Sequence, residues 1–187
     1  MASESRLQLE SWLKGIDVAG KVLDVGSSQL AVKGRTKSFD VDDYKTLDLK
    51  DPHNGGVPDI QWDMNLPCRK KELKGKFDVV FFLEVFEYLW NPYQALKNAA
   101  FFLKKGGTLY VSLHFQYKFH PPEGLDYLRY TPFGAEKLLK EAGFEIVEHR
   151  YKTTRSVALQ EFYADERMRG KTRLNDNITG SLIKATI

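Results

Sequence analysis

Lys21-Val22-Leu23-Asp24-Val25-Gly26 is a short apolar run that stops at an acid and a glycine. Such a run is the pattern of a buried strand that ends in a tight turn. Similar strands lie downstream. Thr46-Leu47-Asp48-Leu49 ends a second, Pro58-Asp59-Ile60-Gln61-Trp62-Asp63 is a third, and Phe77-Asp78-Val79-Val80-Phe81-Phe82-Leu83 is a fourth. The unbroken apolar run of the fourth implies burial on both faces of a sheet. Thr108 to Leu113, Phe144 to Val147 and Ser181 to Thr186 give three more. Helical stretches alternate with them. Ser3 to Lys14 carries Leu7, Leu9, Trp12 and Leu13 as its apolar positions. A helix capped by Asn91, with Pro92 in its first turn, buries Ala95, Ala99, Phe102 and Leu103 and closes at Gly106. Another opens at Thr131-Pro132, turns Phe133, Leu138, Leu139 and Ala142 inward, and stops at Gly143. Alternation of strand and helix predicts a mostly parallel sheet covered on both faces.

Composition narrows the function. The 187 residues suffice for one domain, and 13% aromatic residues support a packed core. The single cysteine, Cys68, excludes a disulfide within the chain or a cluster built on cysteines, and no metal site is expected from four histidines without acids grouped around them. A net charge of +3 is too mild to argue for nucleic acid. Met1 to Lys14 lacks the apolar run of a signal peptide, and no stretch is long enough to span a membrane, so a cytoplasmic protein without membrane contact is expected.

The strand ends carry the chemistry. In parallel sheets ligands bind beyond the carboxyl ends of the strands, where the strand order switches. Gly26 permits a tight turn and a close ligand approach. Asp48 ends the second strand, where an acid accepts ribose hydroxyls. Asp63 follows the third, where it accepts from an exocyclic amine. An acid at a strand end is commonly a turn former. Three of them on three successive strand ends outline a nucleoside-shaped site. A nicotinamide site is disfavoured, because the G-x-G-x-x-G turn is missing.

These segments resemble the class I S-adenosylmethionine-dependent methyltransferases, of the small, single-domain type. Val22-Leu23-Asp24-Val25-Gly26-Ser27 is similar to the family's first motif, and Asp48 to its second acid. Phe77 to Leu89 is similar to its fourth-strand segment, Leu103 to Leu109 to its turn before strand five, and Tyr130 to Glu145 to its late helix and strand. The resemblance implies a Rossmann-like fold with a seven-stranded, mostly parallel sheet whose last strand is antiparallel. It implies one domain over residues 1–187: a helix and lead-in over 1–20, a cofactor-binding half over 21–113 and an acceptor-side half over 114–187. S-adenosylmethionine is the implied cofactor, with S-adenosylhomocysteine as product. Asp24, Val25, Gly26 and Ser27 would line its methionine part, Asp48 would hold the ribose, Asp63 and Met64 would frame the adenine, and Leu83 and Glu84 would sit near the sulfonium. Ser28 and Gln29 replace glycines common in the family, and Tyr88 stands where many members carry His. Pro67-Cys68 follows strand three rather than strand four, so Cys68 reads as an ordinary loop residue, and no motif for methylating a base amine follows strand four.

The acceptor side is read from the loop after strand five, His114-Phe115-Gln116-Tyr117-Lys118-Phe119-His120-Pro121-Pro122, and from Asp126 to Tyr130. An alcohol acceptor must lose a proton, and His suits that role at neutral pH. His120 is the preferred base and His114 the second, while Tyr117, Tyr127 and Arg129 are candidate pocket residues. The loop resembles that of small methyltransferases found with glycan genes. The expected activity is methyl transfer to a small-molecule or carbohydrate acceptor, at oxygen. The alternatives are a protein or RNA acceptor, and a non-catalytic binding module of the same fold. A homodimer or a partner subunit is expected to complete a small acceptor region. Two basic clusters, Arg69 to Lys76 and Arg167 to Arg173, read as solvated faces, with contact to an anionic acceptor, nucleic acid or a phosphorylated glycan included, as the sharper alternative.

Overall fold

The computed structural model describes residues 3–27, 30–52, 56–119, 124–156 and 177–187. Seven strands form one sheet: β1 (Asp17–Val25), β2 (Ser38–Asp48), β3 (Ile60–Gln61), β4 (Phe77–Phe82), β5 (Leu103–His114), β6 (Glu145–Thr153) and β7 (Ile178–Thr186). Their order is β3-β2-β1-β4-β5-β7-β6. β1 pairs in parallel with β2 and β4, and β4 in parallel with β5. β7 runs antiparallel between β5 and β6. The strand order switches between β1 and β4, which places the expected crevice at their carboxyl ends.

Helices cover both faces. α1 (Glu4–Leu13) lies on one, with Leu9, Trp12 and Leu13 packed against Val22, Val79, Phe81, Tyr110 and Leu182. α2 (Pro92–Phe102) and α3 (Pro132–Glu141) cover the other, over Leu23, Val80, Phe82, Leu109, Val111 and Ile183. Alternate residues of β1 and β4 therefore serve the two cores, which is why the β4 run is apolar throughout. Among the described residues no helix is long and apolar enough to cross a membrane.

Both predicted caps are present. The Asn91 side chain accepts from the Gln94 N–H, and that of Thr131 from the Gly134 N–H. Some expectations are corrected. α2 ends at Phe102, not at Gly106: the carbonyls of Phe101 and Phe102 accept from the Gly75 and Lys76 N–H groups, and Leu103 already pairs with Phe77 in β4. Leu7 and Phe133 are exposed rather than inward. Each lies two positions before a buried residue, Leu9 or Ala135, so each points to the far side of its helix.

α1 stands or falls with Trp12, whose ring meets Tyr110 edge-on at 5.7 Å. Trp12→Ala should cost about 3–5 kcal/mol of unfolding free energy in urea titrations. A loss below about 1 kcal/mol would show that α1 is an appendage and not part of the core.

Candidate active site

The carboxyl ends of β1, β2 and β4 open into a cavity of about 580 Å³. That size suits a small-molecule ligand, for which about 300–1,000 Å³ is usual. Of the residues predicted from sequence, Val25, Gly26, Asp48, Asp63, Met64, Leu83 and Glu84 line it. The local chain explains each position. Gly26 has a φ of +70°, and a Cβ there would lie 2.3 Å from Val85 Cγ2, so a side chain is barred by both conformation and space. Asp48 Oδ1 accepts from the Leu49 N–H at 2.8 Å, which fixes the turn after β2. Asp63 Oδ1 accepts from the Asn65 backbone and side-chain nitrogens, both at 2.9 Å. Below them, the buried Asn98 of α2 donates to the Met64 and Leu66 carbonyls and accepts from the Cys68 N–H. Cys68 is thus part of a loop anchor.

Asp24 and Ser27 depart from expectation. Neither lines the cavity. The Asp24 carboxylate is buried and accepts from the Tyr44 hydroxyl at 2.6 Å and the Val32 N–H at 2.7 Å. The Ser27 hydroxyl donates back to the Asp24 carbonyl at 3.2 Å. Asp24 therefore braces the turn after β1 from behind.

Glu84 is the focus of a buried polar network. It has a φ of +56°, a strained conformation for a residue with a side chain. Ser112 holds it there by accepting the Glu84 N–H at 2.7 Å and donating its hydroxyl to Oε1 at 2.6 Å. Lys152 of β6, fully buried, donates to the same Oε1 at 3.0 Å and to His114 Nδ1 at 3.3 Å. His114 then carries its proton on Nε2, 2.8 Å from Glu84 Oε2. Burial alone would raise the Glu84 carboxyl, but the Lys152 ammonium, with the hydrogen bonds of His114 and Ser112, carries it well below the ordinary range. Glu87 lies 3.5 Å from His114 Nε2 and accepts no hydrogen bond among the described residues; burial pushes its carboxyl up. Gly180 makes the arrangement possible. It pairs with His114 on one side and Lys152 on the other, and a Cβ there would lie 2.7 Å from Lys152 Cε.

The base assignment of His114 is thereby corrected. Both ring nitrogens are engaged, the residue is 2% exposed, and Tyr117 stacks on it at 4.0 Å. A ring with its lone pair occupied cannot take a proton from an acceptor. His120 lies outside the described residues, as do the basic residues 167–173. Tyr117 and Tyr127 line the cavity, but Arg129 instead holds the loop, through Asp126 and the Tyr117 and Lys118 carbonyls. Sequence reasoning missed Lys152 and Glu87, and also Arg6, Arg35 and Trp90, which line the cavity together with Tyr88. The first basic cluster, residues 69–76, is largely exposed, with Lys70 over the Trp62 ring.

Comparison with known proteins supports the fold. Residues 63–111 match the family model "Methyltransferase domain". No curated protein matches. Among solved structures, an S-adenosylmethionine-dependent methyltransferase of Mesorhizobium loti superposes with a TM-score of 0.64 at 12% identity, over 100% of this chain and 99% of that one. Phosphoethanolamine N-methyltransferase 2 of Haemonchus contortus, in complex with S-adenosylmethionine, gives 0.59 at 12% identity, over 99% of this chain and 52% of that one. The [4+2]-cyclase SpnF gives 0.60 at 17% identity, over 97% and 80%. The chain thus has the Rossmann-like methyltransferase fold, and the cyclase shows that more than one chemistry occupies it.

Asp24 supplies a test of this layout. Burial pushes its carboxyl up to about 6, against the hydrogen bonds of Tyr44 and Val32. An acid raised by folding contributes stability that is complete below its unfolded pKa, near 3.9, and is lost as pH rises through the folded value. Asp24→Asn removes that loss. The variant should gain on the wild type by about 2 kcal/mol of unfolding free energy between pH 4 and 7. A difference that stays flat across this range contradicts the sealed position of Asp24.

Proposed function

We propose that this chain, whose fold is that of the class I methyltransferases and whose residues 63–111 match a methyltransferase domain, is a methyltransferase that uses S-adenosylmethionine and acts on a hydroxylated small molecule or a glycan. The single observation that carries the reading is the cavity, where the carboxylates of Asp48, Asp51, Asp63 and Glu84 meet apolar and aromatic side chains in one space. The donor set fits the cofactor. Asp48 and Asp63 offer acceptors to ribose hydroxyls and an exocyclic amine, Met64 and Leu83 offer apolar faces, and Arg6 and Arg35, which share Glu10 as their ion-pair partner, also line the wall. When bound, the cofactor supplies a methyl group on a positive sulfur, displaced in line by the acceptor.

The protein's part is to hold and align the acceptor. Tyr88, Trp90, Tyr117 and Tyr127 line the cavity. Rings of this kind stack on the apolar face of a sugar, and Glu84 is placed to accept from a hydroxyl. Trp90 and Tyr127, half-exposed at the rim, leave the cavity open there, which supports its completion by a second copy or a partner subunit. The division into a cofactor half, 21–113, and an acceptor half, 114–187, belongs to this reading. His120 is the base it proposes. A second reading, a binding module without catalysis, is supported by the withdrawal of Asp24 from the cavity.

Calorimetry with S-adenosylmethionine and S-adenosylhomocysteine, with NAD as control, separates the two. The enzyme reading expects micromolar binding, about −8 kcal/mol, for the adenosyl ligands alone, and at least a tenfold loss in Asp48→Ala. Absence of binding would overturn it. With an acceptor in hand, His120→Ala should lower turnover about 100-fold and leave cofactor affinity unchanged. Unchanged turnover would remove His120 from the mechanism.

A further inference from the structure

The cavity wall follows the order of the strands. Asp48 ends β2, Gly26 follows β1, Leu83, Glu84 and Val85 follow β4, and Tyr117 and Tyr127 lie beyond β5. A ligand held at Asp48 that reaches toward the tyrosines must pass Glu84 on the way. The charge at that midpoint therefore acts on the centre of the ligand, not on its ends.

Every element packed around Glu84 contributes to that charge. β5 supplies Ser112 and His114, the turn after β4 supplies Glu87, β6 supplies Lys152, and Tyr117 covers His114 from the cavity side. Tyr130 closes the far side, its hydroxyl donating to the Phe86 carbonyl at 3.0 Å. Lys152 is the cation that faces Glu84 from the protein side, and it does not line the cavity. Its alkyl chain crosses β7 above Gly180, so its ammonium arrives in one direction only.

We propose that Lys152 is a positioning residue that fixes Glu84 as a carboxylate anion at the midpoint of the cavity, and that this anion makes the site prefer the sulfonium of S-adenosylmethionine over the neutral thioether of S-adenosylhomocysteine. The inference rests on the cofactor reading above and adds a device for product release. Loss of the positive charge on methyl transfer removes the attraction to Glu84, so the product leaves more readily than the cofactor. Without Lys152, burial acts on Glu84 unopposed and favours its protonated form.

The test is the ratio of the two dissociation constants, measured by calorimetry from pH 5.5 to 8. In the wild type the preference for S-adenosylmethionine should not change over this range. In Lys152→Met it should fall about tenfold at pH 5.5 and recover as pH rises, the signature of a carboxyl returned to titration. In Glu84→Gln it should be lost equally at every pH. If Lys152→Met does not fold, Glu84→Gln and the wild-type profile decide. A wild-type ratio that falls on acidification, or a Glu84→Gln ratio equal to that of the wild type, overturns the proposal and leaves the cofactor reading standing. A wild type that binds neither ligand overturns both.

Discussion

Lys152 and Glu84 meet across the sheet from β6 to the end of β4, the lysine fully buried and the carboxylate partly exposed to the cavity. A buried charge costs several kcal/mol unless its partner is close and the remaining donors and acceptors are satisfied. That demand orders the surroundings. The β7 position between them must be glycine, because a Cβ would collide with the lysine stem and with the Leu113 carbonyl. His114 must take the tautomer that accepts from the ammonium and donates to the carboxylate. Glu84 must hold a left-handed backbone, and Ser112 braces it at both N–H and carboxylate. One ion pair thus sets the conformation of the strand end that faces the cavity.

The rest of the cavity follows from the parallel sheet, which brings the ends of β1, β2 and β4 to one edge. The helices fix what the strands leave loose. Asn98 on α2 ties down the loop that carries Met64, and Glu10 on α1 anchors Arg35 at 2.7 Å. The segment that carries Tyr127 and Tyr130 is attached to the same network: the Tyr127 N–H donates to the Glu87 carbonyl and that of Tyr130 to the His114 carbonyl. The strand ends around the cavity and the 126–130 segment are therefore mechanically joined through residues that share hydrogen bonds.

Much of this was legible in the sequence because the signals are local. The β4 run, the Asn91-Pro92 and Thr131-Pro132 caps, and the acids at strand ends each declare themselves within a few residues. The mixed, half-exposed pattern of β2 hid its first eight residues, and β3, an edge strand, pairs only at Ile60 and Gln61. Asp24 reads as a site residue because its motif ends at a ligand crevice. Its withdrawal depends on Tyr44, 20 positions away, which no local pattern announces. Lys152 sits in a strand whose alternation makes it look like any outward-facing lysine, and only the pairing of β6 with β7 sets it over Gly180. His114 is visible as a histidine at a strand end, but its role is decided by a lysine 38 residues away.

The central claim is that one cavity, with Glu84 at its midpoint, receives the cofactor. A crystal structure of the protein with S-adenosylhomocysteine tests it most directly. The account predicts the ribose on Asp48, the adenine between Asp63 and Met64, and the sulfur beside Glu84, with Lys152 still paired to that carboxylate. A ligand bound elsewhere, or one bound here with Glu84 swung away from both Lys152 and the sulfur, would contradict it.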